Sequence, residues 1–183
     1  KTSIKDLGDL DNRNARNAST LDEFLHWAPL ANLDLDAIVE KLNGFATVPS
    51  DERLKAIVTS EKRLVTLVTL FMRGCTVESR LNAINQLHLA LNAFTERPNI
   101  SDKLRRLFSI VDAVQLNPGR IDDRIEGTSH TRLYTAARHG HTANVMFLYC
   151  AGVNVNATGT SHAQALHLAA QNGQAPVMEL LLA

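Results

Sequence analysis

The sequence predicts an all-α protein, and three observations predict it. Apolar residues recur at steps of three and four from about Leu21 to Val114. Strict alternation of apolar and polar residues over strand length is absent. The last third of the chain repeats itself, Leu133 returning as Leu166, Ala136-Ala137 as Ala169-Ala170 and Gly140 as Gly173, each 33 positions on. The expectation is a helical N-terminal domain of about five helices followed by helix-turn-helix repeats.

Residues 1–18 are polar with little periodicity and are expected as a flexible arm. From residue 19 to 117 helix signals follow one another. Thr20 with Glu23 forms a capping box ahead of Phe24, Leu25 and Trp27, and Pro29 closes that helix. Asp34 or Asp36 opens a second, with Ile38, Val39, Leu42 and Phe45 inward. Ser50-Asp51-Glu52 opens a third, whose stripe of Leu54, Ile57, Leu64, Leu67, Val68 and Phe71 is broken near Thr59-Ser60 and stopped by Gly74. Thr76 caps a fourth, with Val77, Leu81, Ile84, Leu91 and Phe94 along one stripe. Ser101 opens a fifth, carrying Leu104, Leu107, Phe108, Val111 and Val114, and Asn117-Pro118-Gly119 ends it. Residues 118–126 read as a connector.

The repeating segment, residues 127–183, has its own logic. A small Ala-Ala pair lets a short helix pack closely on its neighbour, and a glycine ends that helix. A second helix turns Val145, Phe147 and Leu148 inward, then Val177, Leu180 and Leu181 in the next copy. One such pair cannot bury its apolar face alone, so copies stack into one core. The helical domain is expected to cover the exposed side of the first copy. The second copy is truncated, and the chain reads as a fragment of a longer protein.

These residues resemble the ankyrin repeat. The first copy runs Thr131-Arg132-Leu133-Tyr134-Thr135-Ala136-Ala137-Arg138-His139-Gly140-His141, and closes with Ala151-Gly152-Val153-Asn154-Val155-Asn156-Ala157. The second runs Gln164-Ala165-Leu166-His167-Leu168-Ala169-Ala170-Gln171-Asn172-Gly173. The family's Thr-Pro pair is replaced by Thr131-Arg132 and Gln164-Ala165, which loosens the turn into each first helix. No family resemblance is legible in residues 19–117.

The resemblance implies non-enzymatic binding of a partner protein through a concave face and hairpin tips. The positions it assigns to contact are Gly127, Thr128, His130, Arg138 and His139, then Thr160, Ser161, Ala163, Gln171 and Asn172. The other reading is a multidomain enzyme or bacterial effector whose repeats recruit a substrate or host protein.

Composition narrows the chemistry. Formal net charge is zero, with 19 basic and 19 acidic residues, so nothing global draws the chain to nucleic acid. Residues 51–120 nevertheless carry net +4. Within them Arg97, Lys103, Arg105 and Arg106 are the densest basic group, where an anionic ligand is a lesser expectation than a solvated helix face. His139 and His141 have no ligand-spaced partners, so no metal is expected, and no cofactor or catalytic residue is assigned. Cys75 with His88 lacks a motif to position the pair, and Cys150 reads as packing. The two cysteines cannot build a disulfide framework, no spanning segment is visible, and cytoplasm is the expected compartment, or the cytosol of a host cell for an effector.

Overall fold

Ten α-helices and one 3-10 turn make up the regular structure of the described residues, which in this computed structural model are 4–47, 60–95, 100–158 and 164–183. In order they are α1 (Ile4–Asn17), α2 (Leu21–Trp27), α3 (Leu35–Thr47), α4 (Glu61–Met72), α5 (Arg80–Thr95) and α6 (Asp102–Leu116). The 3-10 turn Pro118–Arg120 follows, then α7 (Arg132–His139), α8 (Thr142–Cys150), α9 (Ala165–Gln171) and α10 (Ala175–Leu182). Extended pairing among these residues is limited to two isolated antiparallel bridges, Arg124 with Thr131 and Thr158 with Gln164. The all-α expectation is met.

The caps explain where helices begin. Thr20 Oγ1 accepts from Glu23 N at 3.1 Å, while the Glu23 carboxylate accepts from Ser19 N at 2.9 Å, one residue earlier than a standard box would place it. Asp34, not Asp36, opens α3, its Oδ1 accepting from Ala37 N at 2.8 Å. Ser101 Oγ accepts from Leu104 N at 3.2 Å at the start of α6. The expected opening of the third helix at Ser50 lies outside the described residues. The described part of that stripe starts after Ser60 and buries Leu64, Leu67, Val68, Phe71 and Met72.

Two expectations are corrected. Residues 1–18, read as a flexible arm, contain α1, which packs on α2 and buries Ala15, with Ala18 buried just beyond its end. Its anchors are long-range. Asn12 Oδ1 accepts from Asn32 N at 2.6 Å, and Lys41 Nζ donates to the Arg16 carbonyl at 2.8 Å. No local periodicity encodes such contacts. The second correction concerns α5, which starts at Arg80 and leaves Val77 and Leu81 exposed at 72% and 52%. Its buried face is Ala83, Ile84, Leu87, Ala90, Leu91 and Phe94, and Thr76 caps only the preceding turn, accepting from Ser79 N.

Helix α5 packs against α3, α4 and α6. The next layer is α8, whose Val145, Phe147 and Leu148 are fully buried beneath α4 and α6 on one side and α7 and α10 on the other. The first repeat's second helix is therefore covered by the preceding helices, and one apolar core runs through both. Burying Phe147 alone is worth about 1.5–3 kcal/mol.

Helices α4 and α8 run in the same direction. At their N-terminal ends Glu61 Oε1 accepts from Ala143 N at 2.8 Å. At the other end the Arg80 guanidinium lies against Gly152, so a side chain added there would have to push that guanidinium aside.

Candidate interaction surface

Residues 124–131 form a hairpin entering α7. Ile125 N donates to the His130 carbonyl at 2.8 Å, and Gly127 turns the tip at φ 75°. Thr128 Oγ1 accepts from His130 N at 3.2 Å and donates to the Ile125 carbonyl at 2.9 Å. Thr131 caps α7 by accepting from Tyr134 N at 3.2 Å. Arg132, standing where the resemblance expects proline, reaches back with Nη1 to the Arg120 carbonyl at 3.3 Å. A side-chain tether thus replaces a rigid ring in holding the turn.

Helix α7 has two faces. Leu133, Tyr134, Ala136 and Ala137 are buried, whereas Arg138 and His139 are exposed. Helix α9 does the same one repeat later, burying Ala165, Leu168 and Ala169 and exposing Gln171 and Asn172. Gly140 closes α7 in the left-handed region at φ 70°, with the Gln174 side chain packed over it and Gln174 Nε2 donating to the Arg138 carbonyl at 3.3 Å. Consecutive copies are thereby tied at the turn as well as through α7 with α9 and α8 with α10. Gln164 N donates to His167 Nδ1 at 3.1 Å, so His167 holds the entry to α9.

The positions expected to make contact separate into two groups. Gly127 and Thr128 are exposed at the hairpin tip, and His130 stacks on Tyr134 with ring centroids 4.2 Å apart. Arg138 and His139 stand at the far end of α7, about 10 Å along the helix axis at 1.5 Å per residue. In the second copy Gln171 and Asn172 are exposed, with Asn172 Nδ2 donating to the Leu168 carbonyl at 2.9 Å. Thr160, Ser161 and Ala163 lie outside the described residues, as does Arg97.

Sequence reasoning missed what surrounds the α7–α8 turn. His139 and His141 stack at 5.7 Å. Burial first, then the nearby Arg106, holds the His141 imidazole below its ordinary range, with Glu61 opposing and His139 and Lys103 assisting. Lys103 Nζ is 3.9 Å from Glu61 Oε2. The basic residues of α6 and the histidines of the repeat were each visible in the sequence, but nothing in it placed them together. A second miss is Asp122, whose Oδ1 accepts from Asn154 N at 2.8 Å and fastens the connector to the loop after α8.

The other candidate residues have plain partners. His88 Nε2 sits 2.9 Å from Asp112 Oδ1 and stacks on Phe108. Cys75 and Cys150 are half-buried free thiols, and burial pushes the Cys150 thiol up.

A family model described as ankyrin repeats (many copies) matches residues 133–182. Residues 133–182 are ankyrin repeats. The match begins at Leu133, the first buried residue of α7, and ends at Leu182, the last residue of α10. No curated protein matches the chain. Among the described residues no helix is long and apolar enough to cross a membrane. An ankyrin segment implies a protein-interaction module.

Proposed function

We propose that the chain binds a partner protein through the exposed face of α7 and α9 and the tip of the 124–131 hairpin. The observation that carries this reading is the repeated two-faced helix. Arg138 and His139 stay exposed directly after a buried Ala-Ala pair, and Gln171 and Asn172 occupy the same register. Side chains held outward by a rigid helix form a surface whose shape is set before any partner arrives. Gly127 and Thr128 extend it from a hairpin braced by its own hydrogen bonds. The repeats supply the geometry, and the polar residues at these positions supply the selectivity. In this reading the helices before residue 118 act as a domain that shields the first repeat.

Affinity capture with the full chain as bait tests the reading. Arg138→Ala with His139→Ala should remove specifically captured proteins while the thermal melt stays that of the parent, because neither side chain fills the core. Capture unchanged by that double substitution and by Thr128→Ala with His130→Ala overturns it.

A further inference from the structure

We infer that the corner where α6 meets the α7–α8 turn is the docking point for an acidic segment of the partner protein, held by Lys103 and Arg106 of α6 beside His139 of the repeat. The inference rests on the interaction reading above and adds the chemistry of the ligand.

Four observations lead to it. Lys103 and Arg106 are one helical turn apart and share a side of α6, and both are exposed. Their charges reach His141, whose ring lies against His139. His139 is exposed as well. Glu61, an acid at this corner, is half-buried and already occupied, accepting from Ala143 N at 2.8 Å with Lys103 3.9 Å from its other oxygen, while exposed Asp102 stands one turn before Arg106 on α6. The fold alone therefore brings the cations of α6 beside the histidine pair of the repeat.

Like charges held together at a rigid corner repel one another and are relieved by an incoming anion. Carboxylates on an extended peptide suit this place. Stacking of nucleic-acid bases requires exposed aromatic faces. The phenyl and phenol rings of α7 and α8 do not supply a platform at this corner, since Tyr134 and Phe147 are buried and Tyr149 projects from the opposite end of α8, and the exposed His139 ring is already stacked on His141. Arg105, between Lys103 and Arg106 in sequence, points to a different side of α6 by the 100° helical step and lies outside the proposed corner.

The test is fluorescence anisotropy with the full chain and a labelled oligoglutamate peptide at low salt, beside an oligoglutamine peptide, a single-stranded oligonucleotide of equal charge, and phosphatidylserine vesicles. Oligoglutamate should bind, oligoglutamine should not, and added salt should weaken the complex. Lys103→Ala with Arg106→Ala should lower affinity roughly two- to thirtyfold, the range for two exposed ion pairs. Arg105→Ala should change it less than about twofold. Oligoglutamate binding no better than oligoglutamine, equal loss from Arg105→Ala, or tighter binding of the oligonucleotide or vesicles would each overturn the inference. If Arg138→Ala with His139→Ala abolishes partner capture but Lys103→Ala with Arg106→Ala leaves it intact, the acidic-segment inference fails and the interaction reading stands.

Discussion

Replacing Gly140 with alanine probes the repeat turn with a single added methyl group. Gly140 sits at φ 70°, where an L side chain costs roughly 1–2 kcal/mol. A Cβ there also meets the end of the Gln174 side chain, so Gln174 must swing away and give up its bond to the Arg138 carbonyl. That exposed bond is worth about 0.5–1.5 kcal/mol. Against this, alanine restricts the unfolded chain and returns about 0.4–1 kcal/mol. The expected loss is about 0.5–3 kcal/mol, a fall of roughly 1–12 °C in melting temperature for a chain of this size. Two companions separate the contributions. Gly173→Ala, at φ 66° with open space around the new carbon, carries the backbone strain without the Gln174 contact and should lose less. Gly44→Ala, inside α3 with nothing within 4 Å of the added carbon, should stabilise by about 0.5–1 kcal/mol. Urea unfolding of the three variants followed by circular dichroism is the assay. Gly140→Ala as stable as the parent, or Gly44→Ala less stable than it, refutes the reasoning.

Three further outcomes are expected. Phe147→Ala empties a fully buried site beneath α4 and α6 and should cost about 3–5 kcal/mol, so a shift under about 1 kcal/mol in urea unfolding would mean α8 is not the covered layer. The His141 pKa is depressed in the folded chain by burial and by Arg106, so the unfolded chain takes up the proton first. Stability then falls as pH drops through the ordinary imidazole range near about 6.5, and the loss is complete below the depressed folded value. Stability measured against His141→Gln from neutral to mildly acid pH isolates this contribution, and a difference independent of pH contradicts it. Finally, the Cys150 thiol is pushed up by burial and should react with iodoacetamide more slowly than an exposed cysteine, which mass spectrometry of timed digests can follow. Labelling at the rate of a free thiol would show that site to be open.

Local signals in the sequence determined a good deal of this protein by themselves. A threonine or serine ahead of an apolar stripe set helix starts at Leu21, Asp102 and Arg132, because a cap needs only a hydroxyl and the amide three residues on. The 33-residue return of Ala-Ala and Gly identified the repeats, since close packing of two helices demands small residues at fixed register. The equivalence of exposed Arg138 and His139 on α7 with exposed Gln171 and Asn172 on α9 followed from that register. Tertiary structure decided the rest. Helix α1 looked like a polar arm because its anchors, Asn32 and Lys41, lie 20 and 25 residues away. Val77 and Leu81 fitted the helical period yet face solvent, for periodicity reports a stripe and not whether another element covers it. Most of all, the meeting of Lys103 and Arg106 with His139 and His141 depends on α6 and α8 lying side by side, a contact between residues more than thirty positions apart. Sequence period encodes which side of a helix is buried, and only the packing of whole helices determines which charges become neighbours.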